Sequence, residues 1–329
     1  MPRIAVLMTT YNGERFLREQ LDSILQQENV DVSLFIADDC STDSTREILQ
    51  EYSAKYSNIE LIFNKKNKGC IRNFMDLVYS ADTKAFDYFA ISDQDDVWLP
   101  NKLEAAVNAL EAACEKAPCS EGESQSQNGV PALYYAGIDN VCLDGTSLGN
   151  EYAQYQVCAQ NYASLLLVQN WCLGCTCLMN PALVARLQEA KVYDFGRMYD
   201  AWIHAVVLYT GGVVVSDLHH SFIKRRITGQ NTVGIMNEKR STAFIVKKAW
   251  RWLLHGDAAT SEKHTRMAQC LLDSYGKYFD EETKALVEAV AKRQMSKMAR
   301  KYLLGRKDIV MPTSAKTAWL HWMIKFNKF

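Results

Sequence analysis

Three carboxylates fall within four residues in the run Ser92-Asp93-Gln94-Asp95-Asp96. The run lies between the apolar stretch 89–91 and Val97-Trp98-Leu99-Pro100. Charges this close repel, and burying them together is costly without a cation. A solvated acidic turn is the plain alternative, but the apolar and aromatic flanks place the run inside the body of the protein. Hard carboxylate oxygens suit Mg2+ or Mn2+, which bind through one or two carboxylates and complete their shells with substrate phosphates.

A second acidic turn, Asp38-Asp39-Cys40-Ser41-Thr42-Asp43, also follows an apolar stretch. Ser41, Asp43 and Ser44 can accept from the free N–H groups of the helix after it. That leaves the paired acids unexplained, and a carboxylate there can accept from a ribose hydroxyl or a base N–H. The turn after the first apolar run reads Thr9-Thr10-Tyr11-Asn12-Gly13-Glu14. It is neither GxxxxGK[ST] nor GxGxxG, which argues against P-loop NTPases and dinucleotide dehydrogenases. Any bound phosphate must then be neutralised by metal and side chains. Arg72 is a candidate, although an exposed helical arginine is the commoner case.

These turns need elements to position them. Strand-like runs at 4–8, 32–37, 59–63 and 88–92 alternate with helical periodicity at 15–26, 44–56 and 69–79, and a further helix follows Pro100. Alternation at this spacing predicts an α/β fold, a mostly parallel sheet flanked by helices with right-handed crossovers. Ligands in such sheets bind beyond the carboxyl ends of the strands, where all three polar turns fall. Residues 117–131 are polar and low in complexity and read as a surface loop. Beyond them come a run at 133–137, a helical patch near Leu165, an apolar segment at 173–179, a helix opened by Pro181, and strand-like runs at 213–216 and 221–223. From about Asn237 the pattern is wholly helical.

The net charge of −1 conceals an asymmetry. Residues 224–329 carry 22 Lys and Arg against 9 Asp and Glu, and residues 1–223 carry 15 against 29. An acidic front and a basic back suggest parts that face different partners. No apolar run reaches the roughly 18–20 residues that cross a bilayer, and the N-terminus reads as a strand, not a signal segment. The ten cysteines lack a framework spacing and fit free thiols in a reducing, cytoplasmic setting. Cys172, Cys175 and Cys177 could hold a metal, but they have no second pair at zinc-finger spacing. They read better as buried small hydrophobes.

Four ordered motifs carry a family resemblance. They are Val6-Leu7-Met8-Thr9-Thr10-Tyr11-Asn12-Gly13, the turn from Asp38 to Asp43, Asn67-Lys68-Gly69 with Arg72-Asn73, and the run from Ser92 to Pro100. Together they resemble the family 2 inverting glycosyltransferases of the GT-A fold. The last run is similar to bacterial rhamnosyltransferase-like members that build surface polysaccharides. The resemblance covers about residues 3–234. It implies a catalytic domain over 1–236, with a donor half of about 1–116 and an acceptor half of about 132–236, followed by a basic helical region at 237–329.

By the same resemblance, Thr9, Tyr11 and Asp39 contact the nucleoside, with Tyr11 packed on the base. Asp93 faces the ribose or the metal shell, and Asp95 is the main ligand of a Mg2+ or Mn2+ ion that holds the donor diphosphate. Arg72 sits near the base or the diphosphate. Asn170-Trp171-Cys172-Leu173-Gly174-Cys175 resembles the acceptor-side strand. Tyr199-Asp200-Ala201-Trp202 resembles the catalytic-base turn, which makes Asp200 the general base; as a plain residue it suits the acid-favouring first turn of a helix. One departure stands out: Thr228 occupies a place where the family often has His, so coordination is weaker or falls to Arg225, Arg226 or Asn231. The loop after Gly229 would act as a lid.

The implied reaction moves a sugar, of dTDP-rhamnose or UDP-sugar type, to a saccharide acceptor, the implied partners being lipid-linked saccharides of cell-surface polysaccharide synthesis. The tail mixes cations and aromatics at 247–254 and 319–326, which fits either a solvated basic face or docking on an anionic leaflet as a peripheral membrane protein. No nucleic-acid module is present. The rival readings are a sugar nucleotidyltransferase, which would carry a Gly-rich basic loop after the first strand, and a non-catalytic nucleotide-sugar-binding scaffold.

Overall fold

The computed structural model describes residues 1–116, 129–150, 166, 170–227, 258–292, 296–310 and 314–326. The chain packs as two compact units. The first is made of Met1–Gln154, Trp171–Tyr193 and Gly211–Thr232, and the second of Tyr155–Asn170, Asp194–Thr210 and Val233–Phe329.

The first unit begins as the sequence predicts. Strands β1 (Arg3–Thr10), β2 (Asp31–Asp38), β3 (Ile59–Phe63) and β4 (Tyr88–Ser92) lie parallel in the order β3-β2-β1-β4. The crossovers are α1 (Leu17–Leu25), α2 (Thr45–Lys55) and α3 (Cys70–Ser80). Each helix spends one face on the core. Leu17, Leu21 and Ile24 of α1 are fully buried, as are Met75 and Val78 of α3. Full burial of such side chains contributes about 2 kcal/mol each. Ile4, Val6 and Met8 of β1 and Phe89 and Ile91 of β4 are equally dry, as expected of strands covered on both faces.

Beyond β4 the directions mix. The short β5 (Asp96–Trp98) leaves its neighbours and pairs antiparallel with β9 (Val213–Arg226), matching Asp96 with Arg225 and Trp98 with Ile223. The helix α4 (Lys102–Cys114) then returns to β6 (Ala132–Val141). Strand β6 pairs with the hairpin strand β7 (Ser147–Asn150), with the two-residue β8 (Leu178–Met179) and, in parallel, with β9. The full order is β3-β2-β1-β4-β8-β6-β9-β5. Helix α5 (Pro181–Gln188) starts on Pro181, and the Asn180 side chain caps it by accepting from the Leu183 N–H at 3.0 Å.

The two strand-like runs expected at 213–216 and 221–223 are one strand of 14 residues. The polar stretch between them is absorbed as a register shift, with Ala136 opposite Asp217 and Gly137 opposite Ser221. Gly137 tolerates this because it lacks a Cβ, which would lie 2.4 Å from the Leu218 carbonyl oxygen.

The second unit is helical in its described residues. It holds α6 (Tyr199–Tyr209), α7 (Ala258–Tyr275), α8 (Glu281–Ala291), α9 (Lys297–Gly305) and α10 (Ser314–Lys325). Phe195 stacks on Trp202 with centroids 5.0 Å apart, and Trp202 meets Tyr275 at 6.0 Å. These rings tie α6 to α7. Among the described residues no helix is long and apolar enough to cross a membrane. The helical patch near Leu165, the loop residues 117–128 and the tail segment 247–254 lie outside the described residues.

Candidate active site

The turns after β1 and β2 are stitched together by side chains that donate or accept across the gap. The Asn12 N–H donates to Ser41 Oγ at 2.9 Å, and Asn12 Oδ1 accepts from the Thr42 N–H at 2.8 Å. The Gly13 N–H donates to Thr45 Oγ1 at 2.8 Å. Asp43 Oδ2 accepts from the Glu14 N–H, and Glu14 Oε2 accepts from the Ser44 N–H. Asp38 is wholly buried and fully used. It accepts from Thr10 Oγ1, the Ser41 hydroxyl and N–H, and Arg46 Nε at 2.6 Å. Half of the acid pair that the helix cap left unexplained is therefore a structural brace.

Asp39 is 3% exposed. Its Oδ1 accepts from Asn64 Nδ2 at 3.0 Å and from the Lys68 N–H at 2.8 Å, and its Oδ2 accepts from the Gly69 N–H at 2.8 Å. A carboxylate has about four acceptor positions, and three are taken in holding the turn before α3. Gly69 adopts φ +80°, which suits glycine. Asn67-Lys68-Gly69 is thus a turn built around Asp39. Arg72, exposed in the first turn of α3, lies over the Tyr193 ring at 4.7 Å. Tyr193 in turn donates to Asp76 at 2.7 Å, and Asp76 pairs with Lys68.

Thr9 is half-buried, and Tyr11 is 49% exposed at the end of β1. The Tyr11 backbone is gripped by Gln94, which joins this turn to the acidic one. Asp93 and Asp95 are half-buried, and Asp96 is 1% exposed. Burial pushes the Asp95 carboxyl up, against the pull of Arg226 and Arg225. Asp96 is driven well above the usual carboxylate range by burial and then by the charges of Asp93 and Asp95. Its Oδ2 has no hydrogen-bond partner. A turn that resists full ionisation and leaves a buried carboxylate oxygen unsatisfied fits a divalent cation.

Cations support this turn from below. Arg226 Nη1 donates to the Asp95 carbonyl at 3.0 Å and to the Asp96 carbonyl at 3.3 Å, while its Nη2 pairs with Glu19. Arg225 Nε donates to Asn140 Oδ1 at 2.9 Å. Of the expected substitutes for a histidine at Thr228, Arg226 reaches the backbone of the acidic turn and Arg225 lies opposite Asp96. Thr228, Gly229 and Asn231 lie outside the described residues. Lys102 is 3% exposed, with Nζ 3.6 Å from the Trp98 ring centroid, and burial lowers its pKa to about 8.

Cys172, Cys175 and Cys177 are buried as expected, and among the described residues no cysteine is in a disulfide. Cys175 is more than core filling. One ligand-capable atom from each of Asp93, Asp96 and Cys175 lies within 4.8 Å of the other two. This trio leaves out Asp95 and brings in Asp96, which the sequence offers as part of the acidic run without assigning it as a ligand, and Cys175, which it reads as core. The i to i+4 pairing of Trp98 with Lys102 was a readable signal; the approach of Cys175, some eighty residues downstream, was not.

Asp200 belongs to the second unit, in the first turn of α6. Its Oδ1 accepts from the Ala201 N–H at 2.6 Å. One turn on, His204 is buried, its Nδ1 3.1 Å from Asn170 Oδ1. Burial, with the nearby Arg197 charge, lowers its pKa to about 3 and keeps it neutral.

A mixed sheet flanked by helices, with polar turns at the carboxyl ends of β1, β2 and β4, defines a GT-A-like glycosyltransferase fold. The TarS 1–349 fragment from S. aureus, solved in complex with UDP-GlcNAc, superposes with a TM-score of 0.54 at 13% identity, over 99% of this chain and 91% of that one. Residues 5–131 match the family described as glycosyl transferase family 2. The dTDP-rhamnosyl transferase RfbG of Shigella flexneri is 44% identical over 105 residues, 31% of this chain and 36% of that protein. The chain spans well under half the length of curated relatives it matches, 36, 39 and 44% for three of them.

Proposed function

We propose that the protein transfers a sugar from a nucleoside-diphosphate donor to a saccharide acceptor, with inversion at the anomeric carbon. The observation that carries this reading is the acidic turn at the end of β4, joined through Gln94 to the turn bearing Tyr11. It sets a cation-binding edge beside an exposed aromatic at the end of the sheet where ligands bind.

In this reading Tyr11 packs on the base, and Thr9 and the remaining acceptor position of Asp39 meet the nucleoside. Asp93 and Asp95 would hold Mg2+ or Mn2+, which supplies charge neutralisation of the departing diphosphate. Arg72 serves the base or diphosphate from the start of α3. Asp200 takes the proton from the acceptor hydroxyl as that oxygen attacks, and the nucleoside diphosphate leaves from the opposite face. The similarity to a dTDP-rhamnosyl transferase makes dTDP-rhamnose the first donor to try, with UDP-sugars next. The acceptor we favour is a lipid-linked saccharide of surface polysaccharide synthesis. Exposed Trp319 and Phe326, on and just after α10, with the basic tail around them, support docking of a cytoplasmic enzyme on an anionic leaflet.

A thermal-shift panel of nucleotide sugars with and without Mn2+ tests the donor reading, because a ligand stabilises only the state it binds. Stabilisation by one nucleotide sugar, enhanced by the ion, is the expected result. A flat panel across dTDP-, UDP- and GDP-sugars would refute it. Co-sedimentation with anionic vesicles tests the leaflet docking, with binding that falls as salt rises.

A further inference from the structure

Cys175 lies in a single 3-10 turn, Gly174–Thr176, just before β8. It is 4% exposed, and its thiol rests against the Asp96 carboxylate. Asp96 Oδ2 is buried and makes no hydrogen bond, an arrangement that is costly if nothing satisfies it. Buried Lys102 Nζ also makes no hydrogen bond and sits on the Trp98 ring, and buried Arg225, opposite Asp96 in the sheet, pulls the Asp96 carboxyl down. Two carboxylates and one thiol therefore converge within 4.8 Å, with Asp93 half-exposed as the way in from solvent.

We propose that Asp93, Asp96 and Cys175 form a binding site for a thiophilic divalent cation of the zinc type. The site shares Asp93 with the donor-side ion of the proposed glycosyl transfer, and only in that respect rests on that reading. Zinc accepts sulfur and oxygen together in a four-coordinate shell, and three protein ligands leave one position open. Mg2+ demands six oxygens at short, regular distances and has little use for sulfur. The set of ligands thus selects the softer ion. On binding, the Sγ–H bond breaks, an Sγ–metal bond forms and the proton leaves to solvent; no oxidation state changes. A zinc ion here draws Asp93 away from a hard ion, so zinc competes with Mg2+ or Mn2+.

Cobalt(II) is the probe, because thiolate ligation gives a sulfur-to-cobalt charge-transfer band in the near ultraviolet. Titration of the full, chelator-treated chain should raise that band to saturation at one cobalt per chain. Zn2+ should abolish it, and excess Mg2+ should not. Cys175→Ser should lose the band, while Cys172→Ser and Cys177→Ser keep it, with circular dichroism checking each fold. Asp96→Asn should weaken cobalt binding at least tenfold. In the unaltered chain, zinc should slow alkylation of Cys175 at least tenfold, a readout that needs no variant. No band in the unaltered chain, a band that survives Cys175→Ser, or alkylation unchanged by zinc would each overturn the site. Donor binding with Mg2+, measured on the same preparation, reports separately on the glycosyl-transfer reading.

Discussion

Gln94 holds Tyr11 by both polar groups of its backbone, accepting from the Tyr11 N–H at 2.8 Å and donating to the Tyr11 carbonyl at 3.0 Å. The residue between two candidate metal ligands thereby sets the position of the candidate base-stacking ring. Gly13 makes room for this, since a Cβ there would lie 2.4 Å from Gln94 Oε1. Two such hydrogen bonds contribute about 2 kcal/mol net. Gln94→Ala should therefore raise the donor Kd about tenfold or more, read by calorimetry. Gly13→Ala should reproduce much of that loss by displacing the Gln94 side chain. The double variant should then lose less than the sum, because both act on one contact.

Asp95→Ala should abolish metal-dependent transfer while leaving the fold intact. Its side chain adds unfavourable charge to Asp96, so thermal stability without metal should hold or rise. Unchanged turnover of the unaltered enzyme in excess chelator would contradict the metal's part in the reaction.

Asp200→Asn should bind donor as before and lower turnover by about 10²-fold or more. Steady-state rates beside donor affinity separate the two. Normal turnover would remove Asp200 as the base.

The helical unit carries its own pH dependence. Arg306 donates to both Asp308 oxygens, at 2.8 and 2.7 Å, and holds that carboxyl below its ordinary range. The folded pKa lies below the unfolded one, so the stabilisation is complete above the unfolded value. It is lost as pH falls through the folded value. The pair is partly exposed, which limits its worth to about 1 kcal/mol or less. Asp308→Asn should lower Tm slightly near neutral pH, and the difference from the unaltered chain should shrink as the solution is acidified.

The parallel half of the sheet was legible because its signals are local. Four apolar runs, three amphipathic helices and the turns between them lie within the first hundred residues, and the structure places each within two residues or so of its expected bounds. The acidic turn could be read for the same reason. What was hidden depends on distant partners. Nothing near Asp39 announces that its carboxylate will be claimed by the N–H groups of Lys68 and Gly69. Nothing near Cys175 announces Asp96. The stretch from Asp217 to His220 looked like a break between two strands because its side chains are polar, and only pairing with β6 shows it to be a bulge within one.

The pairing of Asp96 with Arg225 has a consequence for how the protein is made. The segment that matches the family ends at residue 131, yet β5 finds its sheet partner only in β9, and the carbonyls of Asp95 and Asp96 find Arg226. Contacts this far apart in sequence close late. During synthesis the first four strands can assemble while β5 still lacks a neighbour, and the acidic turn takes its final shape only after residue 226 has emerged. A fragment cut at 131 would keep the family signature and lack the frame that holds its carboxylates.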